Sequence, residues 1–533
     1  MQEKTKATPT KKRISIGSAA TLLIATALVG QVLGFLRTRL VNANFDTLGP
    51  QSTDAYFAAF TIPDLFFYTL AAGALGVAFM PVLAERLHHS SRKSMWELSS
   101  SLLNLLGIIM IAVAVVIFIF ARPLISHIVA PKLTPPQLHN AVAIMRLLCL
   151  NPLLFTISGV LSSTQQTLGR FFFYAIAPLF YNTSIILSIY IFRHSSIGLV
   201  GLGIGAAVGA ILQLLVVCMG LFNTRFYWTP RILWKSRDFR TILGNLPPRS
   251  LDQGIDQVQS VVEVNLASRL GTGTVTNYSN AYTLHTAPIL LFGTAISTAA
   301  FPQLNRRLVA GRPDLFRKDF LKILRFMIWI AMPVVIICFF TRGYLARAIF
   351  AKGSTEIALI FGFLTVAIFF RTVYAIISRW FYAQKDSKTP LFVSVFTIAL
   401  NVCLAAYLAR PATYGAAGLA MAQSIVAAVE VLILSTIMLM RDRKLFDAKF
   451  WGGVVRIVSV SGFSLLTALI AVSYLPLGIN DVGFITLGTK FAWITGLTML
   501  VHVLVSGLFG LDEVKPVFAW LRRVILRPIK LQY

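Results

Sequence analysis

The residues best suited to chemistry form a stripe: Asp252, Asp256, Gln259 and Glu263, with Arg249 beside them. Their spacing of four, three and four places them within an arc of about 60° on an α-helix. The stretch that carries them, NLPPRSLDQGIDQVQSVVEVNLASRL (245–270), has the length of a membrane span, and so polar a face cannot meet lipid. It predicts a hydrated central cavity that handles a cation, a proton or a polar substrate. Three carboxylates crowded there repel one another and lose hydration, so at least one is expected to stay protonated or to hold a cation. The competing arrangement pairs Arg249 with Asp252 or Asp256 and packs the stripe against other polar helices. Because the carboxylates outnumber the one cation near them, the cavity is favoured.

A second constellation lies in residues 31–87, two hydrophobic spans joined by a polar turn, with Gln31 and Arg37 on the first span and Asp54 opening the second. An ionised group at such a position is costly unless protein or water surrounds it. Pro63, Gly73, Gly76 and Pro81 interrupt the second span, a composition tolerated where membrane helices bend beside a cavity. Four further charges, Arg146, Arg371, Arg379 and Glu430, fall within or near apolar runs, and those near span ends can snorkel to the interface. His127, His139 and His194 read as surface residues of loops. The four cysteines lie in apolar runs with no CxxC spacing and no histidine beside them, which argues against disulfides and zinc. No Walker loop, G-x-S-x-G elbow or HExxH helix is present, so an enzyme is not expected.

These residues are positioned by a membrane scaffold. Of the 533 residues 56% are hydrophobic and only 13% charged, with a mean hydropathy of +0.75, outside the soluble range. Apolar stretches near the roughly 20 residues that cross a bilayer number about 14. The net charge of +28 resides in alternate loops, roughly 30 Lys/Arg on one side against about 10 on the other, which places both termini in the cytoplasm and removes any need for a nucleic-acid partner. The N-terminal run has no small-residue cleavage site, so the first helix is expected to stay.

Three string pairs recur about 220 residues apart: PVLAERL (81–87) with PQLNRRL (302–308), Gln165 to Asn182 with Gln384 to Asn401, and GLVGLGIGAA (198–207) with GAAGLAMAQS (415–424). The expected architecture is an all-α polytopic membrane protein of two six-helix lobes plus two C-terminal helices. Its segments are a basic tail (1–13), the first lobe (14–243), the second lobe (244–444), two added helices (445–511) and a second basic tail (512–533).

The strings LGFLR (33–37), TDAYFAAFTIPDLF (53–66), AFMPVLAERL (78–87), LFGTAISTAAFPQL (291–304) and SRWFYAQKDSKTP (378–390) resemble the MurJ/MviN family of lipid II flippases, within the multidrug/oligosaccharidyl-lipid/polysaccharide exporters. The last is close to the family's S-R-x-F-Y-A-x-x-D-x-x-T-P string and is fairly specific. The chain departs from the family where that group carries arginines: Gln31 on the first helix, Phe67 and Tyr68 after the I-P-N-L motif, and Thr283 in the eighth helix. Ala72 replaces an acid.

The resemblance implies a flippase that moves undecaprenyl-pyrophosphate-linked peptidoglycan precursor across the bacterial inner membrane by alternating access. Arg37 would hold pyrophosphate, with Asp54 orienting it or gating; Arg249, Arg371 or Arg379 would make up for missing cations, and Gln31 would face the substrate where the family has an arginine. No cofactor is implied beyond a coupling cation or the membrane potential. The implied partners are the polyprenyl-pyrophosphate-linked saccharide, membrane lipids and cell-wall synthesis proteins. The alternatives are an ion-coupled antiporter of a small solute or drug, a flippase of another polyprenyl-linked glycan, and a non-transporting cell-wall scaffold. Tags at both termini and in the loop from Arg225 to Arg240 should report the cytoplasm, and tags near Lys132 and Lys352 the outside. Proteolysis at Arg231 from the outer face would overturn this topology.

Overall fold

The computed structural model describes residues 16–72, 79–89, 91–222, 224–350, 354–478, 481 and 483–519, with the side chains of 16–21, 24, 72, 88, 245, 247–253 and 484 outside that description. The first half of the chain supplies α1 (Ile16–Asn44), α2 (Thr53–Phe67), α3 (Met80–His89), α4 (Arg92–Pro123), α5 (Pro135–Leu148), α6 (Asn151–Thr167), α7 (Phe172–Phe192) and α8 (Val200–Met219). The second supplies α9 (Arg237–Leu270), α10 (Thr274–Pro288), α11 (Ala295–Val309), α12 (Pro313–Phe340), α13 (Arg342–Ile349), α14 (Ser354–Ala383), α15 (Lys388–Leu408) and α16 (Ala416–Arg441), followed by α17 (Ala448–Tyr474) and α18 (Phe484–Leu508). No strand occurs among the described residues.

The repeat is visible in these boundaries. The starts of α2 and α10, of α4 and α12, and of α7 and α15 each lie about 220 residues apart, as expected of a transporter built from two parallel copies. Each second helix loosens into a π-helical turn at the same place, Tyr68–Ala72 after α2 and Ile289–Thr294 after α10, and a third follows α4 at Leu124–Val129. Two of them come directly after a proline, Pro288 and Pro123, while Pro63 lies within α2, one turn before the first. Proline lacks the N–H and crowds the carbonyl one turn back, so the backbone rebonds with a wider register.

Eleven helical stretches among the described residues are long and apolar enough to cross a membrane, so this is a multi-pass membrane protein. The expected number was about 14. The three stretches outside the eleven are α1, the interrupted α2–α3 region, and α9, whose charges keep its mean hydropathy low. Helix α9 starts at Arg237 and runs continuously through the expected lobe boundary at residues 243 and 244.

Apolar contacts join the halves in one large cluster, and smaller clusters fill the rest of the core. A single buried cluster includes Val41, Ala55 and Ile62 from the first half with Tyr278, Leu284 and Ile360 from the second. Elsewhere one cluster lies around Phe79, Trp96 and Phe239 and another around Phe320, Trp380 and Met438. Helices α17 and α18 dock on α12 through buried polar groups. The Trp329 indole N–H donates to Ser506 Oγ at 2.8 Å, and the His502 ring bridges Ser464 Oγ (2.8 Å) and the Trp329 carbonyl (3.1 Å).

The family-like string 378–390 has a local structural cause. Asp386 Oδ1 accepts the N–H groups of Lys388 (3.1 Å) and Thr389 (3.0 Å), so it caps α15, and Oδ2 meets Thr389 Oγ1 (2.6 Å) and Arg441 Nη1 (2.7 Å) at the end of α16. Burial alone would push this carboxyl up, but the hydrogen bonds from the Thr389 hydroxyl and N–H, with Arg441, outweigh it and hold the group below its ordinary range. A depressed carboxylate stabilises the fold above its unfolded pKa, and that contribution fades as pH falls through the folded one. Asp386→Asn should therefore lower the melting temperature of the detergent-solubilised protein at pH 7, with the difference from wild type closing below about pH 4. Equal melting at pH 7 would remove the cap from this account.

Candidate functional site

The two halves meet most tightly where Asp54 reaches across. Helix α10 begins after Gly273, whose φ of 91° suits a residue without a Cβ but leaves the helix with no capping side chain of its own. Asp54 supplies the cap from the other half. Its Oδ1 accepts the Thr276 N–H (2.8 Å) and hydroxyl (2.7 Å), and its Oδ2 accepts the Gly273 N–H (2.5 Å). Thr53 and Thr276 hydroxyls pair at 2.9 Å, and the Asn42 and Asn280 amides pair reciprocally at 3.3 and 3.0 Å. Asp54 is only 1% exposed, so these charge-assisted bonds have no water competing for them. Asn277 Nδ2 extends the layer to Glu356 Oε2 at 2.7 Å.

Asp54 is therefore not the companion of Arg37 that the sequence suggested; its hydrogen bonds are spent on α10. Arg37 points instead to α7, where Nη1 donates to Asn182 Oδ1 at 3.0 Å. The acid within its electrostatic reach is Asp64, and the Tyr56, Tyr68 and Tyr181 rings share the same field. Sequence reasoning missed Asp64, although the signal was present: this chain reads I-P-D-L where the family motif reads I-P-N-L.

The polar face of α9 divides. Gln259 and Glu263 do not line open space; both are buried in a network with the second half's own helices. Gln259 Nε2 donates to Glu263 Oε1 (2.8 Å) and to Gln423 Oε1 (2.6 Å), and Asn401 Nδ2 donates to the same two oxygens at 3.1 Å each. Amide donors thus compensate the carboxylate. Asp256 is exposed and lies within electrostatic reach of Arg371 and Tyr282. Arg371 forms a 2.8 Å ion pair with the buried Glu430, which also accepts the Ser394 hydroxyl at 2.8 Å. The side chains of Arg249 and Asp252 lie outside the described residues, although α9 runs through both positions.

Asn182 and Asn401 hold corresponding places in the two sequence repeats, and their partners carry opposite charge: Arg37 in the first half, Glu263 in the second. Of the remaining candidates, Gln31 is half-buried on α1, six residues before Arg37 and so on a different face. Arg379 lies against α11, with Nη2 3.3 Å from Thr298 Oγ1 and its guanidinium over the Phe301 ring. Neither is drawn into the Arg37 group. Where the family has its other arginines, Phe67 stacks edge-on against Phe155 and Thr283 bonds the Ser279 carbonyl.

The profile of the family described as lipid II flippase MurJ matches residues 47–488. The chain belongs to the MurJ family. A relative named "Probable lipid II flippase MurJ" from Buchnera aphidicola is 25% identical over 430 residues, covering 79% of this chain and 82% of its own. The fold is that of a solved lipid II flippase MurJ in its inward closed conformation, with TM-score 0.73, 20% identity and coverage of 95% and 100%. An inward-facing multidrug resistance MATE family transporter follows the same course, with TM-score 0.69, 17% identity and coverage of 80% and 98%. The fold is thus shared by transporters of different cargo, and the choice between cargoes falls to the site.

Asp54→Asn should weaken the cap on α10 without touching Arg37. Amide exchange across 271–280 should accelerate by about tenfold or more, on the order of one lost charged hydrogen bond, while exchange around Arg37 stays unchanged. Unaltered protection at 271–280 would deny Asp54 its capping role.

Proposed function

We propose that this chain is a flippase that carries lipid II, an undecaprenyl-pyrophosphate-linked peptidoglycan precursor, from the cytoplasmic to the outer leaflet of the bacterial inner membrane. The observation that carries the reading is the Arg37 group, built from α1, α2 and α7 in the first half of a chain that matches the MurJ family over most of its length. Pyrophosphate needs donors because its desolvation is severe. Arg37 offers a planar cation, and Asn182 with Tyr56, Tyr68 and Tyr181 offers neutral donors where the family has further arginines. The polyprenyl tail stays in lipid while the headgroup crosses, so no bond is made or broken and no cofactor is required.

Asp64 sets the balance. Its charge offsets Arg37 in the empty site, so an arriving pyrophosphate must displace that attraction, which limits how tightly the headgroup is held and eases its release. Asp54 serves as the gate, since opening the side opposite the N-terminus requires Gly273 and Thr276 to leave its carboxylate. Drive comes from the membrane potential or from a cation exchanged at the α9 face. With both termini in the cytoplasm, the sealed end is the outer one.

In proteoliposomes carrying a fluorescent polyprenyl-pyrophosphate glycan, Arg37→Ala should lower the flipping rate more than tenfold and Arg37→Lys should retain part of it. Asp64→Asn should bind the headgroup more tightly, by roughly a factor of ten for one removed charge. Wild-type flipping by Arg37→Ala at equal folded abundance would sink the reading. Ion-coupled exchange of a small solute is the second reading, favoured by the buried Glu263. It requires Glu263→Gln to abolish ion dependence while the lipid-linked glycan has no effect on transport.

A further inference from the structure

The loop between α8 and α9 is long and is held in place. Its backbone lies along α4, whose side chains take up its polar groups. Asn104 Nδ2 donates to the carbonyls of Thr229 (2.7 Å) and Arg231 (3.1 Å), and Asn104 Oδ1 accepts the Trp228 indole N–H (3.0 Å). Ser100 Oγ accepts the Thr229 N–H and Ser101 Oγ the Leu233 N–H, both at 3.3 Å. The attachment lies on the turn of α4 just before its first strongly exposed apolar side chains, Ile108 and Ile111. The loop therefore runs along the edge of the apolar belt.

What it presents outward is a mixture of two kinds. Tyr227, Trp228 and Trp234 are 44%, 50% and 54% exposed, and Arg231, Lys235 and Arg237 between and after them are exposed as well. Amphipathic aromatics at the edge of an apolar belt settle at headgroup depth. From Arg225 to Arg237 there is no acidic residue, and the first one after it, Asp238, is already paired with Arg86 at 2.8 Å. A loop that served only to set topology by its charge could be slack. This one is fixed by three α4 side chains, so its cations hold constant positions.

We propose that this loop is a docking surface for anionic phospholipid headgroups of the inner leaflet. Aromatic rings enter the interface and the guanidinium and ammonium groups take the phosphates, each cation near the surface strengthening attachment roughly fivefold. The leaflet assignment rests on the cytoplasmic placement proposed above; the preference for anionic lipid does not. The surface would gather anionic lipid beside α9, on the side from which the anionic substrate enters.

The test is native mass spectrometry of the purified full chain titrated with phosphatidylglycerol or phosphatidylcholine. Wild type should retain phosphatidylglycerol with at least tenfold higher affinity, and the preference should shrink in 0.5 M salt, roughly a 4 Å Debye length. The triple variant R231Q/K235Q/R237Q should lose most of it at unchanged melting temperature. No preference in wild type, or a preference untouched by the three substitutions, overturns the docking surface. If the triple variant does not fold, the wild-type comparison at two salt concentrations still decides. Labelling of Arg231→Cys in intact cells by a membrane-impermeant thiol reagent would overturn the inner-leaflet assignment alone, leaving the headgroup preference to stand or fall by the titration.

Discussion

The arrangement depends on one buried carboxylate that caps a helix in the other half of the chain. Because the residue before α10 is a glycine with no side chain to cap it, the Gly273 and Thr276 N–H groups depend on an acceptor from elsewhere, and a buried helix end without acceptors is costly. Asp54 provides them at the price of its own hydration. Neither half is satisfied alone at this end: the first would bury a bare carboxylate and the second bare amides. The mutual need joins the halves there, and the shared apolar cluster around it follows.

Away from that end the two halves differ in charge while sharing a plan. The same repeat position carries Asn182 against a guanidinium and Asn401 against a carboxylate. An asparagine side chain can accept from the one through its oxygen and donate to the other through its nitrogen, so the same residue serves both places although its partners carry opposite charge. The π-helical turns recur likewise, at Tyr68 and Ile289, each beyond a proline. The loosened second helices adjoin the Arg37 group on one side and the Tyr282 and Arg371 region on the other, where a proposed transport cycle needs helices able to bend.

Under the proposed function, the replacement of family arginines by aromatic and hydroxyl groups changes how the pyrophosphate would be held. Several guanidinium groups close together repel one another and wait for a polyanion. Here a single cation, Arg37, lies within electrostatic reach of Asp64 and of Tyr56, Tyr68 and Tyr181. Under the proposed function, recognition would rest more on directed hydrogen bonds than on net charge, which fits a headgroup that must be released as well as bound.

Membrane residence and the two-fold repeat were legible in the amino-acid sequence because they depend on composition and period, quantities summed over many residues. The departure at Asp64 was also written there, as one letter in a motif. The partners of the charged groups were not legible. Helical spacing placed Gln259 and Glu263 on one face with Asp256, but only the packing of α15 and α16 decided that amides from Asn401 and Gln423 would close around Glu263, and that Asp256 would stay exposed near Arg371. Asp54 and Arg37 are paired by the family resemblance, which implies a shared place in one cavity. The tertiary structure separated them, since α10, more than two hundred residues later, brought unsatisfied N–H groups to the carboxylate, and a buried charge goes to the donors that reach it, wherever in the chain they arise.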